Sequence, residues 1–537
     1  MERIYKNGVI HTMDPRNTTA SAVAVKNGRF AAVGTIGEAR AALPGAKETD
    51  LGGRAVLPGL ADTHMHLFIH VQNKRCVPLR GAKSAGELVA LCKAALEAGG
   101  TAGGWLVGQG WIENTWDEAR FPTREQLDLI SREVPVALTR ACLHIACVNT
   151  KALERMGLNE RSEGAGTLMD IGPDGKLNGV LREGAAFLWQ DYMENLTPKD
   201  YIDGLPGACR DLLSYGITTV HTDDFSNFPG DAGETVMGAY RSLAAEGKLP
   251  VHIIQQCIFW DCESLRQFLA AGHKTGQAWG RYALGPMKLL LDGSLGGRTA
   301  WMREPYRDDP ATRGIPLFTA EELEPLVKLA HDNGMQIAAH AIGNATIDML
   351  LNAYDAACRA NPRIDPRHGI VHCQITDEAQ LARIKKGGYT AFIQPIFVKE
   401  DSYIAESRVG RALAATSYAW RRMAQLGIPC CGGSDYPVES FDVMRNIACA
   451  VCRSDVDVPN APAWFPENGL TVEEAVRLFT TGAACAAREE HERGSIEVGK
   501  LADLAVLERD IFAIPKEEIS ATSVLMTVAE GEIAYTR

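Results

Sequence analysis

Residues 56–66 read VLPGLADTHMH. The apolar run is interrupted by Pro58-Gly59 and ends in Asp62-Thr63-His64-Met65-His66. Residues two apart on an extended strand share a face, so His64 and His66 point the same way. Two imidazoles on one face suit a single divalent cation. Downstream of this stretch, short apolar runs rich in β-branched residues alternate with helical patterns, the rhythm of βα units. With 56–66 as the first, the strand candidates are 216–222, 251–259, 287–292, 336–341, 369–373, 390–394 and 429–435. Helical patterns fall between them, for example 320–333 after Thr319 as N-cap, and 376–386. Eight such units predict an α/β fold, a (β/α)8 TIM-like barrel.

The two ends of the chain read differently. Runs 4–13, 22–26 and 30–33 are short strands separated by Asn7-Gly8 and Asn27-Gly28, and 502–507, 524–528 and 531–535 repeat the pattern. A small β-sandwich domain built from both termini is expected, its parts at 1–55 and 490–537. The barrel then takes 56–67 as its first strand and 216–489 as its remainder. Residues 68–215 are too many for one crossover and are expected to form an inserted subdomain after the first barrel strand.

Composition narrows the function. The 537 residues are 46% hydrophobic and 23% charged, which excludes disordered and fibrous classes. The formal charge is −12, from 55 basic and 67 acidic residues, and no Lys/Arg-rich run occurs. That argues against a nucleic-acid partner. Apolar runs are too short and too often broken to span a bilayer, and the first residues lack a signal-peptide core. The 14 cysteines, many in apolar stretches, read as reduced thiols of a cytoplasmic protein. Cys449 and Cys452 have CxxC spacing with no second pair nearby, so a structural role is expected.

A barrel enzyme carries its reactive groups at the C-terminal ends of its strands. The first strand ends at His64 and His66, the fifth near His340, the sixth near His372 and the eighth at Asp435. Imidazole and carboxylate together suit Zn²⁺ or a similar ion. Lys288 on the fourth strand is the odd member, since an ammonium repels a cation. It fits only if it is modified into an anion or has another role. His368 lies four residues before His372, on the side that faces the barrel bottom.

The stretches VLPGLADTHMH, GQGWIENTW, PVALTRACLHIACVN, MKLLLDGSLGGRTA, AAHAIGNATID, CGGSDYPVE and GSIEVGKLADLAVLERD together resemble the amidohydrolase superfamily, and within it the YtcJ-like branch that includes N-substituted formamide deformylases. They extend from about residue 56 to 510, nearly the whole chain. The resemblance implies that His64 and His66 bind one metal and that His340 and His372 bind a second. It implies that Lys288 is carboxylated and bridges the two through its carbamate oxygens. Asp435 then contacts a metal and the nucleophilic water and shuttles the proton to the leaving nitrogen. Two positions depart from the branch's usual pattern, Val371 before the sixth-strand histidine and Asn344 after HAIG. Neither removes a ligand.

The expected activity is hydrolysis of a non-peptide C–N bond, an N-formyl or N-acyl amine, by water activated on one or two divalent ions, with zinc the first choice. His144, Trp111 and Arg298 are candidates for substrate contact. For each, a packing or ion-pair role is the competing expectation. Two other functions remain open: deamination of an amino-heterocycle, and a non-catalytic assembly role on the same fold. The only partner expected is a small-molecule substrate, with a homodimer allowed by the resemblance.

Overall fold

A computed structural model describes residues 2–113, 116, 118–140, 145–193 and 196–537. The chain divides into two compact units, Phe68–Gly204 and the remainder. The inserted segment thus returns at Gly204, inside the helix Pro198–Ser214, rather than at residue 215.

In the larger unit, eight parallel strands run in sheet order from Leu60–Met65 through Ile217–Thr222, His252–Ile258, Tyr282–Leu290, Ile337–Ala341, Gly369–His372 and Thr390–Ile393 to Cys430–Gly432. Each pairs parallel with the next, for example Leu290 with His340 and Ala341 with His372. The first and eighth strands meet at their C-terminal ends. There Asp435 N–H donates to His64 O at 2.7 Å and His66 N–H to Tyr436 O at 2.9 Å. Gly433 allows this approach, because a Cβ there would lie 2.6 Å from the His64 nitrogen. The barrel is therefore nearly closed, and closure itself brings the eighth-strand carboxylate against the first-strand histidines.

Helices pack between strands where the sequence provides caps. Thr319 caps Ala320–Asp332 in a capping box with Glu322, and Asp377 caps Glu378–Gly387 with Gln380. Each cap supplies an acceptor for an otherwise unpaired first-turn N–H.

The opening stretch 56–66 is two strands rather than one. Ala55–Pro58 joins the terminal sheet, pairing with Leu504–Leu507, and Leu60–Met65 begins the barrel. Gly59 is the junction, since a Cβ there would meet Thr218 Oγ1 at 2.3 Å and Asp503 Cβ at 2.6 Å. Strands from both termini form one continuous, mixed eight-stranded sheet. Tyr5, Val23, Phe30, Val56, Leu504 and Val528 are buried in its core.

The inserted unit carries its own mixed six-stranded sheet. Strand alternation gives it two cores. Leu106, Leu138 and Cys147 pack on one face, while Val107, Ala137 and Ala146 pack on the other. Among the described residues every cysteine is a free thiol. Cys449 and Cys452 share one helix, and each thiol faces a different carbonyl, Ser454 O and Lys516 O. No helix among the described residues is long and apolar enough to cross a membrane.

Candidate metal centre

Strand ends place His64, His66, Lys288, His340, His372 and Asp435 in the same mouth of the barrel. The ring centroids of His64 lie 5.4 Å from His66 and 5.6 Å from His372, and those of His340 and His372 lie 4.4 Å apart. Ligand atoms of His64, His372 and Asp435 all fall within 4.8 Å of one another. His372 and Asp435 take left-handed backbone angles, φ 72° and 59°. A non-glycine residue adopts that region at a cost of about 1–2 kcal/mol, so the surrounding structure imposes these turns. They aim both side chains inward where the strands stop.

The distal nitrogen of each histidine settles which nitrogen is free. His64 Nδ1 faces Gln256 Oε1 at 2.7 Å, and the same amide donates to Thr63 O at 3.0 Å, which fixes its orientation. His372 Nδ1 faces Gln394 Oε1 at 2.8 Å. His66 Nδ1 faces the backbone oxygen of Asp223 at 3.1 Å. His340 Nε2 faces Gly293 O at 3.3 Å and Asp292 Oδ1 at 3.2 Å. Acceptors at these positions hold the ring hydrogen there, which leaves Nε2 of His64 and His372 and Nδ1 of His340 as lone pairs and turns Nε2 of His66 toward Asp435. Asp292 is itself fixed by Trp301, Ile342 and Gly343 N–H groups and the Thr346 hydroxyl.

The spacing fits a bound cation. His64 Nε2 and His66 Nε2 both lie 3.3 Å from Asp435 Oδ1. A charge-assisted hydrogen bond would be shorter, about 2.7–2.9 Å. Tetrahedral ligands at about 2.0–2.1 Å from one ion are about 3.3 Å apart. Electrostatics favour the neutral ring at two of these histidines. Burial, with Lys288 nearby, pushes the His64 pKa well below its usual value, and burial beside His340 does the same for His372, so both rings stay neutral. Burial opposes protonation of His66 too, but the Asp435 and Asp223 carboxylates raise it to about 9. Burial also opposes ionisation of Asp435, yet the protonated His66 beside it holds its carboxyl below the usual carboxylate range.

A second trio, His331, Cys358 and His368, also brings ligand atoms within 4.8 Å of one another. Its hydrogen bonding has the opposite sense. Ile337 N–H donates to His368 Nδ1 at 3.2 Å, so the ring hydrogen of His368 sits on Nε2. That N–H donates to His331 Nδ1 at 2.9 Å, and His331 Nε2–H donates to Asn361 O at 2.7 Å. Neither histidine turns a lone pair to the trio's centre, and the two rings form a buried relay of hydrogen bonds.

The centre opens into a cavity of about 410 Å³. Leu290, Ile315, Leu317, Ile342, Phe397 and Val438 line it beside His340, His372 and Asp435, and its described lining contains no lysine or arginine. Arg298 is not in that lining. It forms an ion pair with Asp308 at 3.0 Å. Trp111 is fully buried in the core of the inserted unit, with its indole N–H bonded to Leu138 O at 3.0 Å, so it has no surface to offer a substrate. His144 lies outside the described residues. His221 is fully buried in the barrel, and neither ring nitrogen has a hydrogen-bond partner among the described residues.

Sequence reasoning overlooked Gln256, Gln394, Asp223 and Asp292, which hydrogen-bond or pair with the candidate ligands. The signal was present. Each lies near or just beyond the C-terminal end of a strand whose position was legible, and two of the four are amides, a residue type outside the ligand search.

The amidohydrolase family model matches residues 47–535, and the chain belongs to that family. It is 31% identical to YtcJ of Bacillus subtilis (strain 168), with 100% of both chains covered. It is 29% identical to the N-substituted formamide deformylase of Arthrobacter pascens, over 99% of this chain and 98% of that one. The crystal structure of an uncharacterized metal-dependent hydrolase from Pyrococcus furiosus superposes with a TM-score of 0.76, at 29% identity, covering 95% of this chain and 100% of that one.

Proposed function

We propose that the protein is a metal-dependent hydrolase of a non-peptide C–N bond, and that its substrate is an N-formyl or N-acyl amine. The observation that carries this reading is the convergence of four histidine ring nitrogens with Asp435 beside an apolar cavity. His64, His66 and Asp435 would hold one divalent ion, and His340 and His372 a second. Lys288, carboxylated on Nζ, would bridge the two. Zinc suits this set of nitrogen and oxygen donors. When bound, such an ion lowers the pKa of a coordinated water and polarises a carbonyl.

The residues of the chain account for the remaining steps. Asp435 is held in its ionised form at neutral pH, the state a general base requires. It accepts the proton of the attacking water and returns it to the leaving nitrogen as the C–N bond breaks, giving a carboxylic acid and an amine. Gln256, Gln394 and Asp292 keep the histidines in the tautomers that face the ions. The apolar lining favours an uncharged hydrophobic substituent and disfavours an anionic one. The deformylase relative supports a formyl group as the first acyl group to try.

Mass spectrometry of products tests the proposal. The zinc-loaded protein is mixed with N-formyl amines, N-acyl amines and amino-heterocycles, with a chelator-treated control. Release of free amine with formate or another acid, absent from the control, is expected. Ammonia released with a new ring carbonyl would assign a deaminase instead.

A further inference from the structure

Asp223 and Asp224 are adjacent acids just beyond the second barrel strand, and the structure uses them differently. Asp224 Oδ2 accepts from the Thr222 hydroxyl at 2.8 Å and the Tyr240 hydroxyl at 2.6 Å, a structural arrangement. Asp223 is 4% exposed, and its Oδ1 has no hydrogen-bond partner among the described residues. Its Oδ2 lies 3.8 Å from Lys288 Nζ, which is too long for a hydrogen bond. Its backbone holds neighbours in place, with N–H donating to Met65 O and O accepting from His66 Nδ1. A buried carboxylate with unused acceptor capacity is costly unless a charge or donor makes use of it. Lys288 is that neighbour, and it is itself 2% exposed.

We infer that Asp223 is the positioning residue for Lys288, accepting the one N–H that remains on Nζ once that nitrogen is carboxylated. The inference rests on the bridging-lysine reading of the proposed function. Carboxylation joins the lysine nitrogen to the carbon of CO2. R–NH3⁺ + CO2 gives R–NH–COO⁻ + 2 H⁺, so the ammonium's three N–H bonds become one. A carbamate is planar, so fixing the direction of its N–H fixes the plane of its two oxygens. With the N–H directed at Asp223, both oxygens turn away from that carboxylate and toward the histidines. Before carboxylation, the same carboxylate serves as counter-ion to the ammonium. One acid thus serves both states of the lysine, which explains why Oδ1 is left without a fixed protein donor.

The test is carbon-13 NMR of the zinc-reconstituted full-length protein in ¹³C-bicarbonate, with bound zinc measured in parallel. The wild type is expected to show one carbamate carbonyl resonance that Lys288→Ala lacks. Asp223→Leu removes the acceptor. It should need roughly tenfold more bicarbonate for half-maximal signal, the weight of one buried hydrogen bond. Asp223→Asn retains an acceptor oxygen and should stay near wild type, and it decides the matter if the leucine variant does not fold. A leucine variant with wild-type bicarbonate dependence would overturn the inference, as would an asparagine variant as impaired as the leucine one. Absence of the resonance from the wild type would overturn it together with the bridging lysine. Failure of the amide-hydrolase reading would instead appear as no product release, with resonance and zinc content intact.

Discussion

Gln256→Leu is the most incisive substitution, because Gln256 is an amide behind His64 and not one of the candidate ligands. Its Oε1 takes the His64 Nδ1 hydrogen at 2.7 Å, and its Nε2 donates to Thr63 O at 3.0 Å. Leucine fills nearly the same volume with neither function. Without the acceptor, the His64 hydrogen can move to Nε2, the nitrogen that should face the ion. Loss of an outer partner of a metal-bound histidine costs about 10–100-fold in metal affinity, or about 1.4–2.8 kcal/mol. The metal-free protein also loses two buried hydrogen bonds, about 1 kcal/mol or more each. Gln256→Glu provides the contrast, since it keeps an acceptor for His64 at the cost of the bond to Thr63, so its zinc affinity should fall less than that of the leucine variant. The assay is competition for zinc against a chromophoric chelator, with thermal unfolding as a folding check. A leucine variant that binds zinc as tightly as wild type would refute the claim that Gln256 selects the His64 tautomer.

Other outcomes follow from the same geometry. Asp435→Asn should lower hydrolysis by about 10²–10⁴-fold, since the proton carrier is lost, and elemental analysis should show weaker metal retention as well. Zinc affinity should rise about tenfold per pH unit up to about pH 9, because His66, raised to about 9, must release a proton before it can bind. The sign is fixed. In the metal-free protein, the raised His66 pKa stabilises the fold below the unfolded value near 6.5, and that contribution is lost as pH rises through 9. Calorimetry in buffers of different ionisation enthalpy counts the released proton. Cys358→Ser should leave zinc stoichiometry unchanged, since the histidines of the trio His331, Cys358 and His368 spend their lone pairs on hydrogen bonds. A lost equivalent of zinc would show that this relay binds metal.

The barrel was legible because βα alternation and strand-end chemistry are both local in sequence. His64, His66, His340, His372 and Asp435 each sit at a strand end, and the barrel closes those ends into one mouth. The division of 56–66 at Gly59 was not legible. Both halves are apolar and extended, and only the close approach of Thr218 and Asp503 explains the glycine. Gln256 and Gln394 escaped notice because an amide has no ligand chemistry of its own. Its role exists only through the imidazole it faces. Trp111 stood out as an aromatic beside a polar motif, but an irregularity between Gln109 and Trp111 breaks the strand's alternation and turns it into the core on the Leu106 face of the inserted unit. Composition gives no sign of which face an aromatic will take, whereas a histidine pair two residues apart declares its shared face at once.

The most direct test of the metal-hydrolase reading is a stepwise zinc titration of chelator-treated protein, with bound metal and released amine measured on the same samples. Hydrolysis should be absent at the start, grow with bound zinc and saturate when the sites fill. Undiminished turnover by protein shown by elemental analysis to be metal-free would contradict the assignment of His64, His66, His340, His372 and Asp435 as a catalytic metal centre.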